Sequence, residues 1–201
     1  EIDDRKVTGI GKGFCKECDS LKSVKFPESL LVIADDCFAE CGKLRSVELN
    51  EGLLEIGDDF CEDCSNLTSI VIPSTVEHIA HSFCACAGES KGGITAMSVR
   101  PGNETFAVDG GILYDKKTGV VILAEVDISV ARIPEGTRAI GECAFWGCRN
   151  LTLIEWPKSS SVEYIDDEAF VFCRALQSID IPEGVREIHE EAFVGCRGLI
   201  S

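Results

Sequence analysis

The sequence is poor in basic residues and contains no long hydrophobic run. Its 201 residues include 19 Lys and Arg against 35 Asp and Glu, which gives a formal net charge of -16. A surface this acidic repels the phosphates of nucleic acids and the anionic headgroups of membranes, so neither is expected as a partner. The longest apolar runs, such as Val120–Ala124, have the length of a strand. They fall short of the roughly 18 residues that a membrane-spanning helix requires, so we expect no direct insertion into a membrane.

The sequence also lacks the motifs that accompany catalysis. It has no glycine-rich phosphate-binding loop, no G-x-S-x-G turn and no nucleophile paired with a base. We therefore predict that the protein is not an enzyme and holds no cofactor. Cysteine occupies 12 positions, but this share of the chain is below that of small disulfide-stapled domains. Because 45% of the residues are hydrophobic, the chain is able to build a core without such staples.

What the sequence does contain is a repeat. Phenylalanine recurs at steps of 24, 22, 23, 62, 25 and 23 residues, at Phe14, Phe38, Phe60, Phe83, Phe145, Phe170 and Phe193. A cysteine follows each of them after three or four positions, at Cys18, Cys41, Cys64, Cys86, Cys148, Cys173 and Cys196. A step of about 23 residues predicts a solenoid, in which each unit buries its apolar face against its neighbours.

The clearest unit covers residues 173–193. Leu176, Ile179 and Ile181 are spaced as in a short strand whose alternate residues point inward. Pro182 then ends the strand, because proline has no N–H to donate to a neighbouring strand. The Glu-Glu-Ala stretch near the end of the unit predicts one turn of helix.

The unit resembles the BspA-like leucine-rich repeats, whose pattern A-F-x-x-C-x-x-L-x-S-V/I-x-I-P-x-x-V-x-x-I it follows over nearly the whole chain. Two positions depart from the pattern, where Asn50 replaces proline and Thr137 replaces valine. The resemblance implies an α/β leucine-rich repeat solenoid, a right-handed horseshoe of short strands joined by short helical turns. It also implies one continuous array over residues 1–201 and a role in cell-surface adhesion or host-protein binding.

One repeat is enlarged, and we expect it to span residues 87–132. Two apolar runs flank the turn-forming residues 115–119, which predicts a β-hairpin. The array begins and stops in the middle of a unit. We therefore expect it to be a piece of a longer protein or to be capped by a neighbour.

The cysteines fall into two groups. The seven that follow a phenylalanine share one place in the unit, which predicts an internal column of buried thiols. Five others lie outside this column. Two of these, Cys61 and Cys84, are candidates for a disulfide, because they occupy equivalent positions on adjacent coils. Zinc-type ligands also cluster at His78, His81, Cys84 and Cys86. Because the repeat places the histidines outside and Cys86 inside, we predict no metal site.

Two further patterns concern the surface. Three N-x-T sequons make Asn66, Asn103 and Asn150 candidate glycosylation sites if the protein is exported. Acidic pairs, such as Asp35-Asp36 and Asp58-Asp59, precede the phenylalanine in several units and predict a negative ridge. The ridge either compensates helix dipoles and aids solubility, or it attracts a cation or a basic partner.

The outward-facing residues of the predicted strands form the candidate binding surface, since solenoids commonly hold partners on such faces. They are Ser23, Lys25, Ser46, Glu48, Ser69, Val71, Ala96, Ser98, Leu153, Glu155, Ser178 and Asp180. Trp146 follows Phe145 and is a candidate aromatic anchor.

These observations predict a non-enzymatic protein-binding scaffold whose protein partner the sequence does not name. The resemblance implies that it is secreted or on the cell surface. The alternative is a structural subunit inside a larger multi-subunit assembly, in a reducing intracellular or organellar compartment. A third hypothesis is a metal-binding module that uses the additional cysteines.

Overall fold

The structure is a computed structural model that describes residues 6–80, 82–83 and 92–201. Sixteen short strands lie within this part of the chain. They are β1 Gly9–Ile10, β2 Ser23–Lys25, β3 Val32–Ile33, β4 Ser46–Glu48, β5 Glu55–Ile56, β6 Ser69–Ile72, β7 His78–Ile79, β8 Ala96–Val99, β9 Phe106–Asp109, β10 Ile112–Asp115, β11 Val120–Ala124, β12 Val130–Arg132, β13 Ala139–Ile140, β14 Leu153–Glu155, β15 Tyr164–Ile165 and β16 Glu187–Ile188.

The strands belong to stacked coils, most of which have a front strand and a back strand. The front strands pair in parallel as β2–β4, β6–β8 and β12–β14. The back strands form two sheets, ordered β1-β3-β5-β7 and β16-β15-β13-β11-β10-β9. Ile33 pairs with Ile56, and Ile56 with Ile79, so the spacing of the sequence repeat is also the register of the sheet. The molecule is a β-solenoid.

The expectation of short helical turns, and with it the α/β class, is wrong for the described residues, which contain no helix. The turn segments, which run from each back strand to the cysteine of the column, bond to the next coil instead. Cys15 N–H donates to Cys37 O at 2.8 Å, and Phe38 N–H donates to Phe60 O at 3.0 Å. A helix needs its N–H groups for carbonyls four residues back, so these amides are not available to form one.

Each of the six turn segments that the structure describes throughout has two residues with positive φ, four positions apart, which bend the chain out of a helical path. These pairs are Gly13 and Glu17, Asp36 and Glu40, Asp59 and Asp63, Cys143 and Gly147, Glu168 and Phe172, and Glu191 and Gly195.

The enlarged repeat contains the predicted hairpin. β10 pairs antiparallel with β11, and β9 adds a third antiparallel strand on the other edge of β10. β11 then pairs in parallel with β13, which returns the chain to regular coils. The first residues of the expected enlarged unit, 87–91, lie outside the described residues.

A column of phenylalanines forms the axis of the core. Five members are fully buried, namely Phe38, Phe60, Phe83, Phe145 and Phe170. Neighbouring rings lie 5.5 Å apart between Phe38 and Phe60 and 5.7 Å apart between Phe60 and Phe83. The member in the first coil, Phe14, is 64% exposed.

The thiols of the cysteine column bond to the preceding coil. Cys64 Sγ donates to Phe38 O at 3.0 Å, and Cys173 Sγ donates to Phe145 O at 3.2 Å. Cys41 and Cys196 make the equivalent bonds to Cys15 and Phe170. The thiols of these coils are therefore small core side chains that each satisfy a carbonyl. Of the residues proposed for a disulfide or zinc, His81, Cys84 and Cys86 lie outside the described residues.

The two departures from the repeat pattern have polar roles. Asn50 Nδ2 donates to Leu30 O on the preceding coil at 2.9 Å. The buried hydroxyl of Thr137 donates to Pro134 O at 2.8 Å, and Thr75 makes a similar bond to Leu53 O. At Asn50 and Thr137, therefore, a hydrogen bond to the backbone replaces the apolar contact that the repeat pattern predicts.

Burial should slow the alkylation of two thiols in the early coils. Burial raises the pKa of Cys37 and of Cys41 to about 11, from an ordinary value of 9.0. Only the thiolate is alkylated, so we expect iodoacetamide at pH 8 to label the half-exposed Cys18 at least about 100-fold faster than Cys41. Mass spectrometry of a labelling time course measures this ratio. Equal labelling rates in the folded protein would contradict the buried column.

Candidate interaction surface

The exposed residues of four adjacent front strands form one continuous surface, here called the strand face. Their side chains alternate with Val24, Val47, Ile70 and Met97, which point into the core. The strand face consists of Ser23 and Lys25 on β2, Ser46 and Glu48 on β4, Ser69 and Val71 on β6, and Ala96 and Ser98 on β8. Ser23 lies beside Ser46, and Ser69 beside Ala96, in parallel register.

The other predicted members of the row lie apart from the strand face. Glu155 pairs with Arg132 on the separate sheet β12–β14, with Arg132 Nε 2.9 Å from Glu155 Oε2. Ser178 and Asp180 are exposed, but their segment forms no strand. The enlarged repeat separates the two parts, so the predicted row is not continuous along the solenoid.

Ion pairs border the strand face. Lys25 Nζ lies 3.0 Å from Glu48 Oε1, and Arg100 Nη1 lies 3.0 Å from Glu51 Oε1. These residues line two adjoining open hollows of about 320 and 470 Å³. Val71 lines the first hollow and is 45% exposed. The sequence analysis did not identify Arg100 and Glu51 as members of this surface. Both residues lie after the ends of their strands, whereas the repeat pattern predicts only the outward positions within the strands.

The chemistry of the strand face suits the recognition of another protein. It combines small hydroxyls, the exposed aliphatic side chains of Val71 and Ala96, and the ion pair between Lys25 and Glu48. The hollows are open depressions beside the front strands, lined by serine hydroxyls and by charged side chains that form ion pairs with one another.

Trp146 is not the exposed anchor that its position suggested. It lies in a turn segment, away from the strand face, and is half-buried with its ring edge against Phe172 at 6.1 Å. The side chain therefore contributes to packing between two coils.

The three sequons have different surroundings. Asn66 and Asn150 are exposed, whereas Asn103 is 7% exposed. Asn103 Nδ2 donates to Pro73 O at 2.9 Å and to Val76 O at 3.0 Å. Both amide protons are thus engaged, so the folded protein does not offer Asn103 for a glycan.

The acidic ridge brings Asp36, Asp59 and Glu62 within 4.8 Å of one another. Lysines already neutralise part of it, with Lys12 Nζ 3.0 Å and Lys16 Nζ 3.2 Å from Asp36. Hydrogen bonds from these lysines lower the pKa of Asp36, whereas burial, reinforced by nearby carboxylates, raises the pKa of Asp59. The ridge is therefore a charge network between coils, and the lysines lie where a bound cation would compete with them.

Within residues 6–80, 82–83 and 92–201, none of the structure is a helix with the length and hydrophobicity to cross a bilayer.

Comparison with known families identifies a repeat family. The model of the BspA type leucine rich repeat region matches six copies of its repeat, over residues 2–95 and 122–201. No curated protein sequence matches the chain.

Similar solved structures come from bacteria. The chain superposes on the pneumococcal vaccine antigen PcpA with a TM-score of 0.71 at 19% identity, covering 89% of this chain and 49% of that one. A leucine rich cell surface protein from Faecalibacterium prausnitzii gives a TM-score of 0.61 at 24% identity, with coverage of 90% and 53%. A leucine-rich repeat protein from Eubacterium ventriosum gives 0.58 at 16% identity, with coverage of 96% and 62%. At these identities the likeness concerns the fold, and the chain spans about half the length of the first two proteins.

Proposed function

The chain belongs to the BspA-type leucine-rich repeat family, and from this premise we propose that it is a non-enzymatic scaffold that binds another protein through the strand face. The exposed strands β2, β4, β6 and β8 carry the proposal. They present one exposed surface made of two adjacent strand pairs, β2–β4 and β6–β8, whose inward residues already fill the core. Apart from the ion pair between Lys25 and Glu48, the outward residues therefore contribute little to holding the coils together. Extended sheet surfaces of this kind are where solenoids hold their partners.

We further propose that the protein acts at the cell surface, in adhesion. Support comes from the similar structures, one of which is described as a cell surface protein and another as a vaccine antigen. The two exposed sequons are compatible with an exported protein. The alternative role, a subunit inside a larger assembly, would use the same face for permanent contacts.

The test measures binding of the purified protein to immobilised extracellular matrix proteins and to intact host cells. A Ser46→Glu, Ser69→Glu double variant places two charges on the strand face. We expect it to weaken binding at least about tenfold, because interface centres tolerate unpaired charge poorly. A Ser159→Glu, Ser161→Glu variant adds the same charge at exposed positions outside the face and should bind normally.

Equal binding by both variants would overturn the strand face as the binding site. Absence of binding to every surface, together with stoichiometric co-purification of other proteins from the native source, would favour the assembly subunit over the adhesin.

A further inference from the structure

Two turn segments carry a second cysteine beside the column cysteine. In four other coils a phenylalanine stands three residues before the column cysteine, at Phe38, Phe145, Phe170 and Phe193. In these two coils cysteine takes the place of that phenylalanine, which gives the C-x-x-C pairs Cys15–Cys18 and Cys61–Cys64. The proposed protein binding makes no use of either pair.

The cysteine that opens each pair occupies a core position of the repeat. Cys15 N–H donates to Cys37 O, the carbonyl just before Phe38, so Cys15 and Phe38 lie one above the other. Phe38 and the column cysteine of its coil are both fully buried. Cys15 and Cys18, at the corresponding places, both pack against the same core. Their two side chains therefore lie on one side of the turn.

A tight turn brings the cysteines of each pair together. Cys18 N–H donates to Cys15 O, and Cys64 N–H donates to Cys61 O, both at 3.2 Å. Such a turn places its first and last Cα atoms less than about 7 Å apart, and a disulfide spans about 4.4–6.8 Å between these atoms. The two thiols of each pair are also in hydrogen-bonding contact. Each pair thus has a geometry that a disulfide can bridge.

The two pairs differ in their access to solvent. Cys61 and Cys64 are each 2% exposed, whereas Cys15 and Cys18 are half-buried. A small reagent can reach the first pair in the folded protein, but it reaches the second pair only when the coils open. The chain therefore contains a buried copy of the accessible pair, with the same turn and the same spacing.

We propose that Cys15 and Cys18 form a redox site, a dithiol that a small-molecule disulfide, RSSR, converts into an intramolecular disulfide. The Cys18 thiolate attacks one sulfur of RSSR, which forms a mixed disulfide and releases the first RS⁻. The Cys15 thiol then loses its proton to solvent and attacks the Cys18 sulfur, which forms the Cys15–Cys18 bond and releases the second RS⁻. Both RS⁻ ions take up protons, so two protein thiols are oxidised and RSSR is reduced to two RSH. The site lies in a turn segment, away from the strand face, and is independent of the proposed function.

The contact between the thiols favours this order of attack. Burial, and then the contact with Cys18, raises the pKa of Cys15. In the second pair, the hydrogen bond with Cys61 lowers the pKa of Cys64 against the effect of burial. In each pair the first cysteine keeps its proton and donates it to the column cysteine, which is therefore the attacking sulfur.

The experiment uses hydroxyethyl disulfide, because a net charge of -16 repels anionic reagents such as glutathione disulfide. The folded protein is incubated with the reagent at mildly alkaline pH and quenched with acid at intervals, and the remaining thiols are then alkylated. Trypsin cleaves after Lys16, inside the first pair, so its two fragments stay linked only through the disulfide. Glu-C endoproteinase cleaves after Glu62, inside the second pair, and mass spectrometry counts both kinds of linked fragment.

We expect the first pair to form its disulfide at least about tenfold faster than the second pair in the folded protein. In concentrated urea the two rates should agree within about threefold, because the difference comes from burial. A Cys15→Ser variant should stop at the mixed disulfide on Cys18. The matched control, Cys61→Ser, removes a thiol from the buried pair and should change the rate of the first pair by less than about twofold.

Three results would overturn the site. One is an absence of linked fragments from the first pair, or mixed disulfides that persist on both of its cysteines. Another is a linkage of Cys18 to Cys41 on the next coil in place of Cys15. The third is an equal rate for the two pairs in the folded protein. Fragments of the unaltered protein decide the question even if a variant fails to fold.

Discussion

Replacement of Asn103 by alanine is expected to lower the free energy of unfolding by roughly 3–5 kcal/mol. Its Oδ1 accepts hydrogen bonds from Thr105 N–H at 2.9 Å and Phe106 N–H at 2.7 Å, while Nδ2 donates to two carbonyls of the preceding coil. The substitution would leave these buried backbone groups without their partner. One side chain thus joins the start of the enlarged repeat to the coil beneath it.

Urea unfolding followed by circular dichroism measures this loss. Asn103→Asp keeps the acceptor but not the donors, and should fall between the unaltered protein and the alanine variant. Asn150→Ala, at an exposed sequon, should change stability by less than about 0.5 kcal/mol. A loss below about 1 kcal/mol for Asn103→Ala would show that water replaces the amide.

Phe60→Ala should be comparably destabilising, by about 3–5 kcal/mol. The ring is fully buried and lies between Phe38 and Phe83, so its removal opens a cavity that closely packed coils cannot fill. The matched control is Phe14→Ala, which alters the same position of the repeat where the ring is 64% exposed. We expect this control to cost much less.

A double-mutant cycle tests whether the column acts through nearest neighbours. Phe38→Ala and Phe60→Ala should couple, because their rings touch, whereas Phe60→Ala and Phe170→Ala should be additive within about 0.5 kcal/mol. Thermal or urea unfolding of the single and double variants supplies the numbers. Strong coupling between the distant pair would contradict the nearest-neighbour model, because the structural change at one coil would then have to reach across the enlarged repeat.

The coil, its register and much of the core were predictable from sequence. The step between phenylalanines is also the step between paired back-strand residues, as for Ile33 and Ile56. Proline and the alternation of apolar residues marked the front strands. These features depend on short-range spacing and on burial, and both leave a periodic trace in the sequence.

The turn segments were not predictable in the same way. Glu-Glu-Ala is a good helix-forming sequence, yet Glu191 has a φ of 55°, and the amides around it bond between coils. Contacts with the next coil override the local propensity. Likewise, nothing in the sequon at Asn103 distinguishes a buried hydrogen-bonding side chain from an exposed acceptor of glycans. Part of the strand face was predictable because alternation gives its direction, but Arg100 and Glu51 lie beyond the strands.

The hydrogen bonds between turn segments give the stack an electric polarity. Gly13 N–H donates to Asp35 O on the next coil, and Asp36 N–H donates in turn to Asp58 O on the coil after that. Every such amide points toward the later coils, so the peptide dipoles add along the solenoid as they do along a helix axis, and neighbouring bonds polarise one another. The partial positive end faces the later coils, where Glu168 N–H donates to Glu190 O. Amides beside the strands point the other way, as from Gly57 N–H to Ile33 O, so this polarity belongs to the turn segments. At the later end of the turn segments the backbone itself therefore favours an anion, before any side-chain charge is counted.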